Sequence, residues 1–88
     1  MAEGAFKKAG AGSLSASAPG VISTVDVTLT GVAAGDHVFL TQTNTVKDAK
    51  GEFVPKVSAV TTNKVTVTAG REQLPSALTF NVIAFEGP

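Results

Sequence analysis

The residue types that carry most enzyme chemistry are sparse in this chain, and their spacing gives them little to work with. His37 is the sole histidine among 88 residues, and cysteine is absent. Asp36 precedes it and is the kind of carboxylate that orients an imidazole for base catalysis. The serines and threonines that would serve as nucleophiles are scattered through strand-like runs, however, and no G-x-S-x-G turn presents one of them. The pair therefore reads as the exposed start of a strand. One histidine with dispersed acids lacks metal-ligand spacing, so the sequence implies neither a metal nor any other cofactor. Gly10-Ala11-Gly12 is the one Gly-x-Gly, but no strand is predicted before it and no helix after it. It lacks a phosphate-cradling context and reads as linker. Lys47, Lys50 and Lys56 are interleaved with Asp48 and Glu52, the pattern of a solvated face. Trp and Tyr are absent and Phe numbers only five, which leaves no platform for stacking bases or sugars. No catalytic residue is assigned, and the expectation is a protein that is not an enzyme.

Charge narrows the partners further. Seven basic and seven acidic side chains give zero net charge, without the electrostatic footprint of a nucleic-acid-binding domain. No segment approaches the run of about 18 apolar residues that spans a bilayer, so no membrane partner is expected. Lys7 and Lys8 are not followed by an apolar run, and the expectation is synthesis in the cytoplasm without a secretory signal. The chain is near the lower size limit for a self-sufficient core and has no disulfide or metal to staple it. Homo-oligomerisation is the remaining common stabiliser.

The elements that would position any surface are strands. Residues 1–20 are dominated by Ala, Gly and Ser, with Phe6 and Leu14 as the large apolar side chains, and are predicted to form a flexible N-terminal arm. Phe6 and Leu14 are then the side chains that would dock such an arm on a partner. From residue 21 to 88 the pattern has period two. Val21, Ser23, Val25, Val27 and Leu29 share one face, and Gly31 to Gly35 supplies a turn. Asp36 to Thr43 is a second strand with Val38 and Leu40 inward. Asn44 to Gly51 is expected to be an exposed loop, and Glu52 to Val60 a third strand. Lys64 to Ala69 is a fourth with clean β-branched alternation, and Ala77 to Phe85 is the last, with Leu78, Phe80, Val82 and Ala84 on one face. Helical periodicity is nowhere sustained. The predicted fold is all-β, a small antiparallel β-sandwich or barrel of about five to six strands.

The last strand carries an anomaly. Its outward face, Asn81, Ile83 and Phe85, includes two large apolar residues, and Phe39 is outward on the second strand. A strand apolar on both faces must bury both, either under the protein's own arm or loops or in a contact between subunits. Phe39, Ile83 and Phe85 are therefore the candidate oligomer interface.

The runs Leu29-Thr30-Gly31-Val32-Ala33-Ala34-Gly35-Asp36-His37-Val38-Phe39-Leu40, Val65-Thr66-Val67-Thr68 and Leu78-Thr79-Phe80-Asn81-Val82 resemble small β-sandwich structural proteins of tailed bacteriophages. These are capsid decoration proteins and the compact domains of head or tail fibres. The resemblance covers roughly residues 20 to 86 and rests on turn-and-strand patterns. It implies a non-enzymatic virion structural protein, commonly a homotrimer, made in the host cytoplasm and attached to a capsid or fibre protein through its arm. The alternative is a carbohydrate- or receptor-binding β-sandwich module on a cell or virion surface.

Overall fold

A computed structural model describes residues 4–88. Among the described residues eight strands run in chain order: β1 (Phe6–Leu14), β2 (Ile22–Thr28), β3 (His37–Gln42), β4 (Lys47–Asp48), β5 (Gly51–Glu52), β6 (Lys56–Thr61), β7 (Lys64–Glu72) and β8 (Leu78–Phe85). They form two three-stranded antiparallel sheets, ordered β1-β8-β3 and β2-β7-β6, and a small β4-β5 hairpin. β1 lies against β2 and β3 against β6, so the sheets stack edge over edge into an elongated sandwich 45 Å long. Within the two main sheets only the β6-β7 connection stays in its own sheet; the others cross between layers.

Period-two patterning explains the core. Leu78, Phe80, Val82 and Ala84 of β8 are all buried, as are Val65, Val67 and Ala69 of β7 and Val27 of β2. Each central strand thus turns its alternate apolar side chains toward the opposite sheet, as a sandwich requires. Val32, Val46, Phe53 and Leu74 close the core from the connections.

Three expectations change. The segment expected to be an arm is, over Phe6–Leu14, an edge strand paired with β8 from Phe6↔Phe85 to Leu14↔Leu78. Leu14 is fully buried among the core residues, so it packs inside its own domain rather than on a partner. The reason lies in Gly10-Ala11-Gly12, which is not a linker. A Cβ on Gly10 would come within 2.6 Å of Leu29 Cδ2, and one on Gly12 within 2.7 Å of Phe80 Cζ. The two missing side chains let β1 settle directly onto the core.

The second change concerns residues 44–51. They are not a plain loop: Val46 is buried, and β4 and β5 form a tight hairpin whose turn is closed by Lys50 N–H donating to Asp48 Oδ1 at 2.9 Å. The third is that the strand expected from Glu52 to Val60 begins at Lys56, because Phe53 turns into the core and Pro55 interrupts the ladder. With β1, β4 and β5 added to the five expected strands, the described residues hold eight.

Asn63 fixes the β6-β7 turn. It adopts φ 59°, a left-handed conformation that Asn tolerates better than most residues. Its N–H donates to Val32 O at 2.7 Å, its carbonyl accepts from Leu29 N at 2.9 Å, and its Oδ1 accepts from Gly31 N at 2.8 Å. One residue thereby locks this hairpin to the turn that follows β2.

Candidate functional site

The outer face of the β1-β8-β3 sheet is ordered in rows by its register. Phe85 stands between Phe6 and His37, Ile83 between Ala9 and Phe39, and Asn81 between Ala11 and Thr41. Apolar groups therefore gather at one end of the face, grading into Asn and Thr at the other. The Phe85 ring meets Phe6 edge-on at 6.2 Å and Phe39 edge-on at 5.7 Å between centroids. Such T-shaped pairs are favourable by about 0.5–1.5 kcal/mol beyond simple burial. The cluster is nevertheless open to solvent: Phe39 is 63 % exposed, Phe6 58 % and Ile83 38 %.

The structure thus brings Phe39, Ile83 and Phe85 onto one surface and adds Phe6 to it from β1. Of the two side chains expected to dock an arm, Phe6 lies on this surface and Leu14 is buried in the core. At full side-chain areas of roughly 150–250 Å², these exposures amount to an apolar patch on the order of 300 Å², comparable to the largest patch on a typical monomer. It sits on a central strand and its two hydrogen-bonded neighbours.

Behind this end lies a charged clasp that the sequence did not reveal. A bulge at Lys7, where the register shifts between Phe6 and Lys8, redirects that side chain. Lys7 Nζ donates to Asp36 Oδ2 at 2.7 Å and lies 3.3 Å from Glu86 Oε2. The Asp36 carboxylate, with its side chain only 4 % exposed, also accepts from Ala33 N at 2.9 Å and Gly87 N at 3.0 Å. Lys7 and these two backbone N–H groups hold the Asp36 carboxyl down to about 2, and the hydrogen bond to Asp36 raises Lys7. Asp36 is committed to joining β1, the β2-β3 turn and the C-terminal tail. Nothing before the fold signals that Lys7, 29 positions away, would reach it.

The other end of the sandwich is held by Arg71. Its guanidinium stacks 3.8 Å from the Phe53 ring centroid, donates to Asp48 Oδ2 at 2.8 Å and donates to Gly51 O at 2.7 Å. The Arg71 hydrogen bond lowers the Asp48 carboxyl. This fastens the β4-β5 hairpin to β7. Two shallow grooves of about 370 and 430 Å³ flank the hairpin; Lys56 lines the first and Lys50 the second, so the lysines do not converge on one site. Among the described residues no three metal-ligating side chains come together.

Comparison with known proteins returns no match: no family model fits the chain, and neither a curated protein nor a solved structure is significantly similar to it. The site must be read from its own chemistry, and its most developed surface is the aromatic end of the β1-β8-β3 sheet.

Proposed function

We propose that this chain is a non-catalytic interaction domain that associates with copies of itself through the outer face of its β1-β8-β3 sheet, and that it serves as a structural component of a larger particle. The observation that carries the reading is the cluster of Phe6, Phe39, Ile83 and Phe85, three of them more than a third exposed on the outer face of one sheet. Leaving such a patch in water is unfavourable, and covering it contributes roughly 25 cal/mol per Å². Zero net charge leaves no long-range repulsion between copies. The resemblance in turn-and-strand pattern to phage decoration and fibre domains supports a place on a virion, with a capsid or fibre protein as the further partner. Light scattering on the wild type and on an Ile83→Ser/Phe85→Ser double variant tests the association. The wild type is expected to assemble and the double variant to run as a folded monomer that no longer binds particles. A wild type that is strictly monomeric and binds neither capsids nor fibres would remove the reading.

A further inference from the structure

A patch of about 300 Å² is well short of the roughly 800 Å² that each partner contributes to a standard interface. The strand bearing its most exposed ring has more to offer. Sheet edges present unpaired backbone donors and acceptors, and natural proteins blunt them with bulges, charges or proline. Three of the four edges of the two main sheets are blunted in this way. β1 has its bulge at Lys7 followed by Lys8, β2 a register break between Ile22 and Thr24 and a charge at Asp26, and β6 a break between Val57 and Ala59 and a charge at Lys56. β3 has none of these. Its six residues, His37 to Gln42, pair with β8 without interruption and include no Lys, Arg, Asp, Glu or Pro.

The pattern of β3 also selects what fits it. About Phe39 the strand is symmetric in character: Val38 and Leu40 flank the ring on the inner face, and His37 and Thr41 lie beyond them on the outer. Val38 and Leu40 are only partly buried, whereas their β8 partners Ala84 and Val82 are buried completely. Inner-face side chains at this edge therefore still have surface to bury. A two-fold contact demands this self-complementarity, because each residue i that meets j must also be met by it.

We propose that two copies of this chain pair antiparallel through β3, with Phe39 opposite Phe39 on the two-fold axis, Val38 opposite Leu40 and His37 opposite Thr41. The proposal rests on the self-association reading above and gives it a geometry. The two three-stranded sheets become one of six strands, ordered β1-β8-β3-β3-β8-β1, and the two aromatic clusters become a continuous outer surface. A slip of one residue sets Phe39 against the inward Leu40 and is refused by the pleat, and a slip of two sets it against Thr41. The blunted β6 edges beneath do not pair, so the join is confined to one layer. Its symmetry is two-fold, in place of the three-fold expected from the resemblance.

Because the chain has no cysteine, a Phe39→Cys variant places a single thiol on the proposed axis. Residues opposite one another in antiparallel strands have Cα atoms about 4.5–5.5 Å apart, within reach of a disulfide. Under mild oxidation the variant is expected to form a covalent dimer at least tenfold faster than Val54→Cys, an exposed control outside β3. Phe39→Lys and Phe39→Glu, each retaining the β circular-dichroism spectrum, should each be monomeric alone and form a one-to-one complex when mixed. A β3 edge that takes an unrelated extended peptide would give neither the disulfide nor the mixed rescue, and that result would overturn the proposal. Association that survives Phe39→Lys and leaves the thiols unlinked would also overturn it, while leaving the aromatic face, through Ile83 and Phe85, as the contact. A wild type that is monomeric at every concentration would overturn both readings.

Discussion

Gly12 and Asp36 show how single residues govern the sheet that carries the aromatic face, Gly12 within β1 and Asp36 just before the start of β3. The space opposite Gly12 is already filled, with Phe80 Cζ 2.7 Å and Val27 Cγ2 3.0 Å from where a Cβ would stand. Gly12→Ala is expected to destabilise the fold by about 1–3 kcal/mol through overpacking, whereas Ala11→Ser on the exposed face should have little effect. Urea unfolding of the two variants checks the contrast. Asp36 makes the stability depend on acid. Its carboxyl is lowered from the ordinary 3.8 to about 2 by Lys7 and by the Ala33 and Gly87 N–H groups. A depressed pKa means a contribution present in full above about pH 4 and lost as pH falls toward 2. Lys7 is raised, so its part of the clasp persists through neutral pH and is lost only in strong alkali. Thermal melts between pH 5 and 2 should show a steeper loss for the wild type than for Asp36→Asn, which starts less stable but lacks that titration. Equal slopes would mean that the clasp does not govern acid unfolding.

At the scale of elements, β1 separates what was legible in the sequence from what was not. Strict alternation of apolar groups located β2, β3, β7 and β8 and put Leu78, Phe80, Val82 and Ala84 inside and Ile83 and Phe85 outside, as the structure has them. That works because period two is a property of the strand itself. In β1 the inward positions are Gly10, Gly12 and Leu14, so the alternation has glycine where a side chain would mark the buried face, and composition alone reads as linker. The β4-β5 hairpin was hidden for another reason: two-residue strands carry no periodicity, and what holds them is Arg71, 23 positions from Asp48. Of the candidate surface, Phe39, Ile83 and Phe85 could be found from their phase within strands. Phe6 joined them only through pairing, and the Lys7–Asp36 clasp had no local signal. Removal of residues 1–14 is therefore expected to expose the inner face of β8 and unfold the domain, and Leu14→Ala in the full chain should cost about 2–5 kcal/mol. Limited proteolysis that trims this segment and leaves the rest with an unchanged melting temperature would contradict the strand's place in the core.

For the whole molecule, the sandwich is 45 Å long but only 16 Å through its thinnest axis, so little of the chain is far from solvent. Its core is closed at one end by Lys7, Asp36 and Glu86 and at the other by Arg71, Asp48 and Phe53, without a disulfide. A thin domain of this kind gains more from association than a thick one, because a partner covers surface that no further layer of its own can reach. The aromatic end of the β1-β8-β3 sheet is where that cover is most favourable. Association that favours the native state raises the melting temperature with protein concentration. The most direct measurement is therefore the melting temperature over a hundredfold range of concentration, for the wild type and for a Phe39→Ser/Ile83→Ser variant. The account predicts a temperature that climbs with concentration in the wild type and stays flat in the variant. A flat wild-type profile, or a variant that climbs equally, would contradict it.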